Sequence, residues 1–142
     1  MKEPAGIMIK NFKIMKLGYD FMGYKVDRKN SLSFHHLIIP RRHCEDYNLG
    51  DGYYEWNGAI LVRNTSHDYL HLIEAKDHDI FLKITSEMID QNIKGRLDIE
   101  NLRRINELLK HFEKEHSADV NSKGKILIKE EYKKGRIKLW KW

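Results

Sequence analysis

The chain has one cysteine, Cys44, and no apolar run that approaches the ~20 residues of a bilayer span. A lone cysteine excludes an intramolecular disulfide and any zinc knuckle built on paired cysteines. The missing apolar run argues against a membrane partner. The opening stretch, MKEPAGIMIKNFKIMKLG, is basic but broken by charges. No secretory signal is therefore expected there, and a cytoplasmic location is. Internal repeats and low-complexity tracts are also missing. Proline occurs only at Pro4 and Pro40.

What is present fits one domain with enough length to bury a core: 142 residues, 41% of them hydrophobic and 33% charged. The net charge of +5 is unevenly spread. Residues 1–42 carry nine Lys/Arg against three Asp/Glu, and residues 123–142 carry eight against two. Between them, residues 43–122 carry nine against sixteen. Basic ends around an acidic middle point to a polyanionic partner.

Along the chain, residues 6–16 are apolar among lysines but follow neither period, so helix and strand both remain open. Leu32 to Ile39 reads as a strand stopped by Pro40, which lacks a ladder donor. Arg41 to Trp56 is a long connection, a length that commonly carries function. Ala59 to Arg63 reads as a second strand. Asn64, Thr65 and Ser66 are all good N-caps for a helix carrying His67 and His71. Asp77 and Asp98 can cap two further helices, near 78–92 and 98–115, with Gly95 between them. Ile80, Ile84 and Met88 form the apolar stripe of the first, and Leu102, Ile105 and Leu109 that of the second. Past a polar linker, residues 125–132 and 136–140 alternate apolar and charged side chains around Lys133, Lys134 and Gly135. That is the signature of a β-hairpin.

Five of the eight histidines fall between Phe34 and Glu74, and four of these, His35, His36, His67 and His71, sit where a strand, a turn, a strand and a helix could bring them together. His67 and His71, four apart on a helix, share one face and can chelate one ion. His35 and His36, adjacent on a strand, point to opposite faces. One of them can then bind metal while its neighbour acts on substrate. His43, His78, His111 and His116 read as structural or exposed.

The run FHHLIIP, the asparagine opening NGAILV and the helix pair HDYLH resemble, over about forty residues, the HNH endonuclease family of ββα-metal fold. The resemblance implies that His35, His67 and His71 hold one divalent metal ion (Mg, Mn, Ni or Zn). It implies that His36 is the general base that activates water. It also implies that Asn57 braces the connecting loop and orients that base. Gly58 stands where the family commonly has leucine, and the first connection is longer than in compact members. Arg41, Arg42 and Arg63 lie close to the site in sequence and can contact phosphates. Lys133, Lys134 and Arg136 in the hairpin can grip a nucleic-acid backbone.

The expected fold is α+β: a ββα-metal core over about residues 32–75, two additional packed helices within 77–116, and a C-terminal β-hairpin. Residues 1–122 then form the nuclease domain and residues 123–142 a basic extension. The expected activity is metal-dependent hydrolysis of DNA, or of RNA. Two other readings stand beside it: a nucleic-acid-binding module with a structural metal site, and a protein-interaction or inhibitor factor on a nuclease-like scaffold.

Overall fold

Strand β1 (Leu32–His36) pairs antiparallel with strand β2 (Gly58–Val62), placing His35 opposite Ala59 and His36 opposite Gly58. This computed structural model describes residues 6, 8–10, 18–26 and 32–116. The expected hairpin over 123–142, with Lys133, Lys134 and Arg136, lies outside the described residues.

Alternation along β1 buries Ser33 and His35 and leaves Phe34 and His36 half-buried. β2 is buried at every position, because its second edge is also covered. Phe21 donates its N–H to the Ile60 carbonyl at 3.1 Å, from the segment 18–26. Gly58 has a packing reason: a Cβ there would run into the Phe34 ring.

β1 is shorter than expected. It stops at His36, before Ile39, because the next three N–H groups turn to one residue. Leu37 donates to the Asn57 carbonyl, and Ile38 and Ile39 donate to the Asn57 side chain. The long connection also carries structure of its own, with helix α1 (Arg41–Cys44) and 3₁₀ turns at Glu45–Tyr47 and Glu55–Asn57.

The expected capping by Asn64, Thr65 or Ser66 does not occur. A π-helical turn, Arg63–His67, leads into helix α2 (Asp68–Lys76), so His67 precedes the regular helix rather than riding on it. Ser66 is engaged elsewhere: its Oγ accepts from the Val62 N–H at 3.1 Å and donates to a short bond with Asp20.

Helix α3 (His78–Lys94) starts at Asp77, whose side chain accepts from the Ile80 N–H. It ends two residues later than expected, at Gly95, whose φ of 69° lies in the left-handed region that glycine tolerates. Helix α4 (Ile99–Glu115) starts at Asp98, which accepts from the Glu100 and Asn101 N–H groups. The stripes Ile80/Ile84/Met88 and Leu102/Ile105/Leu109 are buried in one core cluster together with β2. The architecture is therefore α+β. Among the described residues no helix is long and apolar enough to cross a membrane.

The core reaches beyond residues 32–75. Phe21, Met22 and Tyr24 are fully buried in it, and Asp20 ties their segment down. One carboxylate oxygen of Asp20 accepts from the Met22 and Tyr24 N–H groups, at 2.9 and 3.0 Å. The other accepts from the Val62 N–H at 2.9 Å and from Ser66. Burial pushes the Asp20 carboxyl up to about 6, and these four bonds oppose that rise.

Asp20→Ala should lower stability by about 3 kcal/mol or more, since it strips partners from buried donors. Gly58→Ala should cost about 1–3 kcal/mol through overpacking against Phe34. Urea unfolding of both variants checks this; a loss under 1 kcal/mol for Asp20→Ala would show that the clamp is dispensable.

Candidate metal centre

Three histidines converge where β1 meets the start of α2. His35 Nδ1 lies 3.3 Å from His67 Nε2, and the His67 and His71 ring centres are 4.8 Å apart. The His35 and His71 ring centres are 5.7 Å apart. One nitrogen from each of the three residues lies within 4.8 Å of the other two.

Their partners define which nitrogens are free. Ser33 Oγ donates to the Leu61 carbonyl at 3.1 Å, so its lone pair accepts from His67 Nδ1–H at 2.7 Å. That leaves the lone pair of His67 on Nε2, facing His35. His71 Nδ1 faces the Glu74 carboxylate at 3.3 Å; a carboxylate only accepts, so His71 also keeps its lone pair on Nε2.

Burial, reinforced by repulsion from the neighbouring imidazoles, pulls the pKa of His35 down to about 3. The same two effects pull His67 down to about 4. Both rings are therefore neutral near pH 7, the form that ligates.

This donor set fits a borderline divalent cation. Two ligands of a tetrahedral site with Zn–N bonds of 2.0–2.1 Å stand about 3.3 Å apart, the His35–His67 separation. His71 is the exposed member of the set. Ser33 and Glu74 occupy the positions from which outer partners orient a ligating imidazole. Both were legible in principle: Ser33 shares the strand face of His35, and Glu74 lies three residues past His71 on one helix.

His36 points away from this cluster, as alternation requires, yet lines the same open groove of about 1000 Å³. Its Nε2 lies 2.7 Å from the Asp51 carbonyl. A carbonyl only accepts, so Nε2 carries the hydrogen and the neutral ring keeps its lone pair on Nδ1. Phe34 and Tyr53 pack against the ring, with centres 5.1 and 5.2 Å away.

The side-chain hydrogen bonds of Asn57 run to the loop and not to His36. Asn57 is fully buried and holds the loop from inside. Its Oδ1 accepts from the Ile38 and Ile39 N–H groups, and its Nδ2 donates to the carbonyls of Ile39 and Gly52. The Gly52 carbonyl that it bonds lies one residue past Asp51, whose carbonyl meets His36.

Arg41 and Arg42 line the groove. Arg41 also lies over Tyr53, 5.8 Å from the ring centre, and 3.8 Å from the Asp51 carboxylate. Arg63 does not line the groove; it donates to the Leu32 carbonyl at 3.5 Å, and its charge disfavours protonation of His67. His78, read from the sequence as structural or exposed, is exposed but lines the groove. His43 pairs with Asp46, His116 with Asp77, and His111 is exposed. Compared with protein-family models, curated proteins and solved structures, the chain matches none.

Ser33→Ala and Glu74→Gln should each weaken metal binding about 10- to 100-fold, the usual effect of losing an outer partner. His67→Ala should weaken it further. Calorimetric titration with Zn²⁺ or Ni²⁺ checks this; unchanged affinity in Ser33→Ala would remove Ser33 from the centre.

Without metal, the depressed histidines make folding pH-dependent. Unfolded, they take protons near pH 6.5; folded, they resist until about 3 and 4. Stability is then lost as pH falls below about 6.5. Asp20 acts in the opposite sense, because a carboxyl raised to about 6 favours the fold as it protonates. Two histidines against one carboxyl leave a net loss between pH 7 and 5. Urea midpoints across that range should fall, and less steeply in His35→Gln. A flat wild-type profile would contradict the linkage.

Proposed function

We propose that the chain is a metal-dependent endonuclease of HNH type, built on a ββα-metal core and hydrolysing phosphodiester bonds of DNA. One observation carries the reading. Adjacent strand residues send His35 to a three-histidine cluster and His36 into the same groove with a defined lone pair. The strand–strand–helix order of β1, β2 and α2 supports it further, as does the buried asparagine bracing the loop between them.

His36 Nδ1 takes the proton of the attacking water as the in-line displacement begins. The Asp51 carbonyl holds the opposite N–H and stabilises the ring once it is protonated. Arg41 and Arg42 bind phosphate oxygens flanking the scissile bond and neutralise charge gathering in the transition state. His35, His67 and His71 would hold a divalent ion, which when bound supplies Lewis-acid stabilisation of the phosphate and of the leaving oxygen. Three protein ligands match a catalytic site, whereas a structural site uses four. A set of imidazoles favours Zn²⁺ or Ni²⁺ over Mg²⁺, which prefers oxygen ligands.

A plasmid-cleavage assay with Mg²⁺, Mn²⁺, Ni²⁺ and Zn²⁺ tests the proposal. Wild type should nick or linearise the plasmid. His36→Ala should lose at least about 100-fold in rate, the lower range of general-base contributions. Its metal affinity should be unchanged. Tight metal binding without cleavage by wild type would favour a binding module with a structural metal. A stable protein complex in place of both would favour an inhibitor.

A further inference from the structure

Three aromatic rings meet on the groove wall around His36. Phe34, His36 and Tyr53 all line the groove. The Phe34 and His36 ring centres are 5.1 Å apart, those of Phe34 and Tyr53 5.2 Å, and those of His36 and Tyr53 5.2 Å. Phe34 stands edge-on to both others, with planes inclined by 76° and 82°, an arrangement that ring quadrupoles favour. Phe34 is itself seated, because its ring lies against Gly58 where a Cβ would collide with it.

Tyr53 has a second neighbour. The Arg41 guanidinium lies over its ring, with Cζ 5.8 Å from the centre, within the reach of cation–π attraction. One ring thus contacts both the base and a phosphate ligand of the proposed reaction. Asp51, two residues earlier, makes the same pair of contacts with other atoms. Its carbonyl meets His36 Nε2 at 2.7 Å, and its carboxylate lies 3.8 Å from Arg41. Both partners of that ion pair are exposed, and an exposed pair holds a guanidinium only loosely. The Tyr53 ring adds a face that confines Arg41 to one side.

Gly52 lets this short segment lie close to the base. Its φ of 75° is in the left-handed region, and a Cβ there would run into Cys44 Sγ and crowd the His36 ring. Tyr53 itself lies outside the buried core cluster and is 38% exposed, so its truncation leaves the core intact.

We infer that Tyr53 is a positioning residue: its ring holds Arg41 and His36 in one register, so that the phosphate bound by Arg41 meets the water activated at His36. The two groups sit on separate elements, His36 at the end of β1 and Arg41 at the start of α1. In-line attack needs the reacting atoms about 3–3.5 Å apart, and a misplacement of about 1 Å can cost about 100-fold. A shared contact is what keeps two such groups at one separation. The role rests on the nuclease reading and goes beyond it, since Tyr53 touches neither proton nor phosphate.

The test measures DNA cleavage by the full chain, with Mg²⁺, Mn²⁺, Ni²⁺ or Zn²⁺. Tyr53→Ala should lower kcat about 10- to 100-fold. Tyr53→Phe should restore most of the rate, because all of these contacts are made by the ring. If Tyr53→Ala does not fold, Tyr53→Leu carries the same expectation. Arg41→Ala supplies a double-mutant cycle. The cost of Tyr53→Ala should shrink in that background, because Tyr53 acts partly through Arg41; a merely structural residue would give additive losses. A second readout needs neither metal nor cleavage. Nitrogen-15 NMR of the His36 imidazole at about pH 8.5, where the ring is neutral, should show the Nε2–H tautomer in wild type and Tyr53→Phe. It should show a more mixed tautomer in Tyr53→Ala. Unchanged cleavage by Tyr53→Ala overturns the inference while the nuclease reading stands. Additive losses in the cycle, a Tyr53→Phe variant as slow as Tyr53→Ala, or an unchanged His36 tautomer in Tyr53→Ala also overturn it. If wild type cuts with none of the four metals, the nuclease reading fails and the role with it.

Discussion

The buried carboxylate of Asp20 is the interaction on which the rest of the arrangement depends. Four hydrogen bonds converge on it, from its own segment at Met22 and Tyr24 and from Val62 and Ser66 at the end of β2. Those last two contacts fix the departure of the chain from the strand. The π-helical turn follows at once, and His67 is its last residue. A buried carboxylate is worth keeping only while its bonds are satisfied. Here the satisfied bonds connect a segment remote in sequence to the residue that completes the histidine cluster.

A second buried polar side chain does the corresponding work for His36. Asn57 uses both ends of its amide, accepting from two backbone N–H groups and donating to two carbonyls. The loop after β1 is thereby held against β2, and the Asp51 carbonyl meets the His36 ring. Strand alternation separates the two adjacent histidines; the Asp20 clamp holds the turn that carries His67, and Asn57 holds the loop that meets His36. The two neighbouring residues thus face different surroundings, His35 the histidine cluster and His36 the Asp51 carbonyl.

The groove is asymmetric in charge. Arginines line it from α1, while α3 contributes His78, Phe81, Leu82 and Thr85. In the described polar core Gln91 reaches the Phe21 carbonyl at 3.0 Å, and Asn101 reaches Glu87 and Asp90 at 2.7 and 3.0 Å.

Local patterns were legible in the sequence because they depend on near neighbours. Alternation turned His35 inward and His36 outward, the caps Asp77 and Asp98 began two helices, and Gly95 ended one. The period of the apolar stripes identified the buried faces of α3 and α4. Long-range polar bonds were not legible, since nothing local marks their partners. Ser66 reads as an N-cap until Asp20, 46 residues earlier, claims its hydroxyl. β1 reads as continuing to Ile39 until Asn57 intercepts the backbone donors. The sequence by itself determined which residues could meet on each face. Tertiary structure alone decided which lone pairs face the groove, because the tautomers of His36, His67 and His71 are set by the acceptors that folding brings to their other nitrogens.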